Sequence, residues 1–350
     1  MSVGEHRGYQ RYSAPVLAVC GYSGSGKTTL LAAAIPRLVA QGLSVAVVKH
    51  DAHGAIVDTP GKDSDRLFQA GATVALRGPD QQFQRRRTTA SLSLQATLAE
   101  FSRDHDLLLV EGHKDTPLPK FWLESSPRIA TPENVTNIIA TLKWDSQRLE
   151  AFLGYIHKWL PQAWADRPLY RGLLVSEPIL SMEPGKKSPN AGHQHLAEIV
   201  AALRSSSGSD DLLVLGTGSL PESLRNISRL PDVPGFGGPC ASLIAAHRWL
   251  PEAAWMMVSC DFSELRAEDI QWLAAQRRPG TWAVIPRDDG HGLPALALYE
   301  PQALAALERQ AIEDPDRRAR LVTLLDHPRT QAMILLHRRD RRHAAGAVRR

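Results

Sequence analysis

The sequence predicts an α/β fold in two successive units, and three observations predict it. Short apolar runs of strand length alternate with segments of helical period through most of the 350 residues. That rhythm pauses at residues 161–171 and restarts at Gly172. A glycine-rich turn of phosphate-binding pattern stands between the first apolar run and the first helical segment. Hydrophobic residues make up 43% of the chain and charged residues 22%, so each unit can bury a core. We expect a unit over 14–160, a linker over 161–171, a second unit over 172–325, and terminal segments 1–13 and 326–350 that are flexible and basic respectively.

Taken in order, PVLAVC (15–20) reads as a buried strand. The stretch GYSGSGKTTLLAAAIPRLVAQG follows and contains Gly21-x4-Gly26-Lys27-Thr28, the phosphate-loop pattern, between a strand and a helix as the motif requires. Glycines let backbone N–H groups curl around phosphate oxygens, and the helix N-terminus adds partial positive charge. The candidate nucleotide-binding residues are therefore Gly21, Ser23, Gly24, Ser25, Gly26, Lys27, Thr28 and Thr29. Lys27 would reach the terminal phosphates, and the Thr28 hydroxyl would ligate Mg2+. LSVAVVKH (43–50) is a second strand. The segment after it, 51–72, carries Asp51, His53, Asp58, Lys62, Asp63 and Asp65 and ends in a short helix. It reads either as a solvated connection or as a loop lying beside the phosphates at the carboxyl end of a parallel sheet. DLLLVEGHK (106–114) is a strand ending in Glu111, the place where phosphate-loop proteins hold magnesium. NVTNIIATLKWD (134–145) ends in Leu-Lys-Trp-Asp, a distorted guanine-reading signature in which the Asp145 carboxylate could accept the guanine N1–H and N2–H.

Composition narrows the functional classes. No run of eighteen apolar residues occurs, so no membrane span is expected. The polar N-terminus MSVGEHRGYQRYS lacks the apolar core of a signal peptide. Cys20, Cys240 and Cys260 have no paired spacing, which argues against a disulfide framework or zinc site and for a reduced, cytoplasmic protein. The net charge is +4, and the last fourteen residues, HRRDRRHAAGAVRR, hold six arginines and one aspartate. This tail reads as a solvated end or an anion contact. Aromatic residues are not interleaved, so nucleic acid is not an expected partner.

GYSGSGKTTL, VVKHDAH, DTPGKDSDR, AGA and LVEGHK, in this order and spacing, resemble the molybdopterin-guanine dinucleotide biosynthesis adapter (MobB) family over about residues 14–160. The resemblance implies a P-loop NTPase domain that binds GTP, hydrolyses it weakly, and supports attachment of a nucleotide to molybdopterin. It implies phosphate and magnesium roles for Gly26, Lys27, Thr28 and Glu111, and a functional loop over Asp58, Gly61, Lys62, Asp63 and Ser64. It also implies a homodimer. His113 departs from the family, which usually has phenylalanine there.

SQRLEAFLGYIHKWLPQAWADRPLY (146–170) reads as a closing helix, with Leu149, Phe152, Ile156 and Leu160 at core spacing, then a proline-containing connection. Strands are expected at 172–175, 212–216, 254–260, 282–286 and 295–299. DVPGFGGPCASL (232–243) is a glycine-rich loop opening a helix, and WMMVSCDFSEL (255–265) is a buried strand ending in Asp261. VPGFGGPCASLIAA, VSCDFSEL and LPALALYEP resemble the molybdenum cofactor guanylyltransferase (MobA) family over about 172–305. That implies a Rossmann-like nucleotidyltransferase-type α/β domain, with Asp261 as a magnesium ligand and Asp232 near the guanine nucleotide. That family joins GMP from GTP to molybdopterin and releases pyrophosphate.

The loop LLVSEPILSMEPGKKSPN (173–190) departs from that family's pattern. Leu174-Val175-Ser176-Glu177 falls on Leu-Ala-Gly-Gly, Ser181-Met182-Glu183 on the turn and Met-Gly, and Lys186 or Lys187 on the lysine. Glu177 and Glu183 stand where glycines should let the backbone approach phosphate. Each carboxylate repels a triphosphate by roughly 1 kcal/mol or more per close pair. We therefore expect a GTP-binding protein of molybdenum cofactor biosynthesis whose C-terminal domain is a non-catalytic recognition module. Its partners would be GTP with Mg2+, molybdopterin or molybdenum cofactor, and a separate guanylyltransferase or molybdoenzyme. One alternative is an active C-terminal nucleotidyltransferase. Another is a P-loop kinase or metallochaperone-type GTPase, which fits the Gly-Lys-Asp-Ser loop poorly.

Overall fold

Unbroken apolar runs become central strands in the computed structural model of the chain, which describes residues 12–49, 58–87, 93–125, 133–175, 189–205, 211–218, 220–260, 262, 265–288, 291–313 and 321–334. The first unit consists of β1 (Val16–Gly21), α1 (Lys27–Ala40), β2 (Val45–Lys49), α2 (Asp63–Gln69), β3 (Val74–Arg77), β4 (Gln82–Arg85), α3 (Leu94–Ser102), β5 (Leu107–Glu111), β6 (Lys120–Leu123), β7 (Ile138–Leu142) and α4 (Arg148–Ala165). Five strands form one parallel sheet in the order β2-β5-β1-β6-β7, while β3 and β4 pair as a separate antiparallel hairpin. Leu17, Val19, Leu107, Leu109 and Phe121 pack with Leu30, Leu38, Phe152 and Ile156 of α1 and α4. Ala18, Cys20, Leu108, Val110 and Trp122 pack with Leu98 of α3 and with Val135. Burial on both faces is why β1 and β5 read as continuous apolar runs.

One strand carried no such signal. β6 begins with Lys120, whose side chain is fully buried. Its Nζ donates to the carbonyls of Thr116 and Thr136, each at 2.6 Å, which satisfies a group that burial pushes towards a lower pKa.

The second unit consists of β8 (Leu169–Leu174), α5 (Pro189–Ser205), β9 (Leu212–Leu215), β10 (Arg229–Leu230), α6 (Gly238–Trp249), β11 (Ala254–Ser259), α7 (Ala267–Ala274), β12 (Ala283–Asp288), β13 (His291–Gly292), β14 (Leu296–Tyr299), α8 (Pro301–Glu313) and β15 (Thr330–Ile334). Its sheet runs β10-β9-β8-β11-β14-β12-β13, with β15 also on β12. β14 is antiparallel to both β11 and β12, whereas β8, β9, β10 and β11 run parallel, as do β12 and β15. Side chains alternate with period two. Leu173, Val175, Met256 and Val258 pack with α5 and α7 residues such as Ile199 and Ile270. Leu174, Trp255 and Met257 pack with α6 and α8 residues such as Leu243 and Leu304.

Three boundary expectations are corrected. α4 runs through Pro161 to Ala165, and β8 starts at Leu169, so the connection is Asp166–Pro168 rather than 161–171. The last turn of α4 is held by Trp164, which is fully buried. Residues 330–334, expected in the basic tail, form a strand because their backbone completes a parallel ladder with β12. Ser13, expected in a flexible end, is buried and donates its N–H to Ser102 Oγ at 3.1 Å. The arginine-rich segment 337–350 lies outside the described residues.

Candidate functional site

β1 delivers Gly21 to the carboxyl edge of the first sheet, next to the end of β5, where Glu111 is level with Val19. The chain then turns through Tyr22–Gly26 into α1. Gly24 and Gly26 have φ of 75° and 82°, in the left-handed region that suits glycine. At Gly21 a Cβ would lie 2.6 Å from Ser25 Oγ and 2.7 Å from the Leu123 carbonyl oxygen, so that position also excludes a side chain. Lys27 Nζ donates to the loop's own carbonyls, Gly21 O at 3.1 Å and Tyr22 O at 2.9 Å. Thr28 Oγ1 donates to Glu111 Oε1 at 2.7 Å. Glu111 is buried. The Thr28 hydroxyl and the Glu111 carboxylate are hard oxygen donors at the helix start, the donor set that suits magnesium beside a phosphate. Ser23, Gly24 and Thr29 are exposed around this loop. Ser25 is buried with its hydroxyl unpartnered among the described residues.

Two cations at this site were not anticipated. Lys49, the last residue of β2, is level with Glu111 on β5, and its Nζ is 3.7 Å from Glu111 Oε1. Strand-end position in VVKH was the available signal. Arg148, the first residue of α4, had none, because its link to the phosphate loop spans 123 residues. Its guanidinium donates to Ser25 O at 2.8 Å, Glu124 O at 2.6 Å and Lys143 O at 2.6 Å. It thereby ties the phosphate loop to the segment Lys143–Asp145. Burial lowers the Arg148 pKa, against the opposing fields of Asp145 and Glu124. Trp144, 53% exposed, lies against the same guanidinium, 4.9 Å from ring centroid to Cζ. Asp145 is exposed, and its Oδ1 accepts the Gln147 N–H at 3.0 Å. The Lys143–Asp145 segment and the phosphate loop thus meet at one edge.

The Asp58–Ser64 loop is braced from within. Asp58 Oδ1 accepts from Thr59 N at 2.8 Å and Ser64 Oγ at 3.1 Å, and Oδ2 pairs with Arg85 at 3.3 Å. Gly61 N donates to Asp65 Oδ2 at 2.9 Å, and Arg85 donates to Asp65 Oδ1 at 2.8 Å. These two bonds lower the Asp65 pKa. Lys62 and Asp63 are exposed at the start of α2. None of these bonds reaches the phosphate loop. Asp51 and His53 lie outside the described residues.

In the second unit, β8 and β11 end side by side, with Ser259 level with Leu174. Gly216 follows β9 with φ of 96°, and a Cβ there would sit 2.7 Å from Val175 O. Ser242 Oγ donates to Asp232 Oδ1 at 2.5 Å, joining the residue before the glycine-rich loop to α6. Glu177, Glu183, Lys186, Lys187 and Asp261 lie outside the described residues. Cys20, Cys240 and Cys260 are buried thiols outside any disulfide. Among the described residues, no helix is long and apolar enough to cross a membrane.

Residues 16–144 match the family model described as molybdopterin guanine dinucleotide synthesis protein B, and residues 188–345 match the MobA-like NTP transferase domain. The chain is 36% identical over 159 residues to the molybdopterin-guanine dinucleotide biosynthesis adapter protein of Haemophilus influenzae, covering 42% of this chain and 89% of that protein. It is 31% identical over 166 residues to the probable adapter protein of Bacillus subtilis, covering 47% of this chain and 92% of that protein. A probable molybdenum cofactor guanylyltransferase of Bacillus licheniformis is 28% identical over 106 residues, covering 29% of this chain and 54% of that protein.

Proposed function

The chain belongs to the molybdopterin-guanine dinucleotide biosynthesis adapter protein family through its N-terminal half, and from that premise we propose that its phosphate loop holds Mg-GTP while a guanine nucleotide is attached to molybdopterin. The molecule is a molybdenum cofactor biosynthesis protein in which a MobB-like unit is followed by a MobA-like NTP transferase domain. The observation that carries the nucleotide reading is the Thr28–Glu111 hydrogen bond of 2.7 Å beside Lys27. It brings together the two oxygen donors a magnesium–triphosphate needs, one residue along from the lysine of the loop. Gly21, Gly24 and Gly26 keep side chains out of the cradle, and the N–H groups of Gly26 to Thr29 donate to phosphate oxygens. Asp145 reads the guanine edge, with Trp144 and Arg148 fixing the segment that carries it. The Asp58–Ser64 loop serves the same nucleotide or its partner.

The C-terminal domain is read as a non-catalytic recognition module for molybdopterin, a separate guanylyltransferase or the recipient molybdoenzyme. The support is that the MobA-like match begins at residue 188, beyond the loop in which Glu177 and Glu183 replace glycine. The second reading keeps transferase activity, with Asp261 as magnesium ligand. It is favoured by the retained glycine turn at Gly235 and Gly238, with φ of 87° and 58°. Calorimetric titration of the full chain with Mg-GTP tests both. One site, abolished by Lys27→Ala, supports the first reading. A second site surviving Lys27→Ala, with pyrophosphate released in the presence of molybdopterin, supports the second.

A further inference from the structure

Among the described residues, most contacts that join the two units come from the same end of each sheet, and Arg309, inside α8, adds an ion pair to Asp104. From the first unit they are made by Ser13, just before β1, by Gly42 before β2, by Ser102 to Asp106 before β5, and by Trp164 at the end of α4. From the second they are made by Arg167 before β8, Pro251 before β11, Trp282 before β12, Arg329 before β15, and Glu300 and Gln302 after the antiparallel β14. These are the amino ends of the parallel strands in both sheets.

The joint is built of buried polar groups. Glu300, fully buried, accepts from Trp164 Nε1 at 3.2 Å, Arg167 Nη2 at 2.7 Å and Arg277 Nε at 2.8 Å. Asp106, also fully buried, accepts from Trp282 Nε1 at 2.7 Å and Arg329 Nη1 at 2.6 Å. Gln302 Nε2 donates to the carbonyls of Ser13, Ser102 and His105 at 2.8, 3.2 and 3.1 Å. A hinge motion here would break these hydrogen bonds and ion pairs together, which opposes it.

Ligands of open parallel sheets bind outside the carboxyl ends of the strands. Gly21 and Glu111 mark that edge in the first unit, and Val175, Gly216 and Cys260 mark it in the second. Sheets joined by their amino edges point their carboxyl edges away from the joint. α4 supplies a ruler, since Arg148 touches the phosphate loop at one end and Trp164 touches Glu300 at the other. Sixteen residue steps of helix are about 24 Å, and a six-residue strand of the second sheet adds about 20 Å.

We propose that the chain is a two-ended rigid body with its two ligand edges about 40 Å apart, so that a nucleotide or pterin passed between the edges passes from one molecule to another and never within one chain. The handover rests on the nucleotide reading above, whereas the opposed edges do not.

The test is a distance. Ser146 and Thr217 are exposed residues at the two carboxyl edges, and the three native cysteines are buried. Full-length Ser146→Cys/Thr217→Cys carries two spin labels, and their separation is read by pulsed dipolar spectroscopy with and without Mg-GTP. If Ser146→Cys impairs folding, Lys143→Cys replaces it. The expected distribution centres beyond about 35 Å and does not change with Mg-GTP. A centre below about 25 Å, or a short population that appears with Mg-GTP, overturns the proposal. Failure of the nucleotide reading would appear separately, as absence of Mg-GTP binding by calorimetry of the unlabelled chain.

Discussion

Glu300→Ala removes the acceptor at the centre of the joint, and the structure sets the size of the effect. The carboxylate accepts four hydrogen bonds, one from Trp164, one from Arg167 and two from Arg277. Side-chain exposure is 0% for Glu300, 3% for Arg167 and 6% for Arg277. Truncation therefore strands two guanidinium groups away from water. Removing one partner of a buried ion pair costs about 3–5 kcal/mol. For domains of this size that lowers Tm by about 10 °C. Burial alone would raise the Glu300 pKa, but Arg167, Arg277 and the hydrogen bonds outweigh it and hold it below the ordinary carboxylate value. The group's contribution is thus present above the unfolded carboxylate pKa and is lost as pH falls through the folded pKa. The assay is differential scanning calorimetry of the full chain at neutral pH. Wild type unfolds with its two units coupled, and Glu300→Ala separates the transitions and lowers the first. Glu300→Gln, which keeps the shape and loses the charge, falls between them. A change under about 1 kcal/mol with an unsplit transition would refute the claim that this network fastens the units.

Other predictions concern single residues. On the proposed site Lys27→Ala would remove two or more charge-assisted contacts to phosphate, so Mg-GTP affinity measured by calorimetry should fall at least about a hundredfold while Tm shifts little. Gly26→Ala meets only ordinary contacts, Arg148 Nη1 at 3.8 Å and Trp144 Cζ3 at 4.0 Å, so its cost is conformational, about 1–2 kcal/mol from a left-handed alanine, read by denaturant unfolding. Arg148→Ala frees the carbonyls of Ser25, Glu124 and Lys143. Selectivity for GTP over ATP should then drop in competition binding, with Arg148→Lys restoring it only partly, because lysine lacks the planar fork. His247 is buried in α6 with its pKa lowered to about 4 by desolvation, against the opposing pull of Glu308. Its neutral form is the folded form, so stability is full above pH 6.5 and falls by about 3 kcal/mol as pH drops towards 4. His247→Leu should flatten urea-unfolding stability across that window.

Local chemistry made much of this protein legible in its sequence. The phosphate loop is a contiguous motif, and its geometry follows from glycines at left-handed φ and a lysine and threonine at a helix start. Strands buried on both faces announce themselves as apolar runs, which is why β1, β5, β9 and β11 appear where the sequence puts them. The glutamates at 177 and 183, where the resemblance implies glycine, are likewise read from residue identities. Only the tertiary structure decided what depends on distant partners. β6 begins with a lysine that is acceptable in a core because two carbonyls, from Thr116 and Thr136, close around it. Arg148 became part of the phosphate site because α4 starts at the carboxyl edge of the sheet. The residues of the joint, Asp106, Glu300, Gln302 and Arg329, look like ordinary surface polar residues in the sequence. Their burial arises because two amino edges meet, and a contact between residues up to 289 positions apart leaves no periodic trace in a chain read locally.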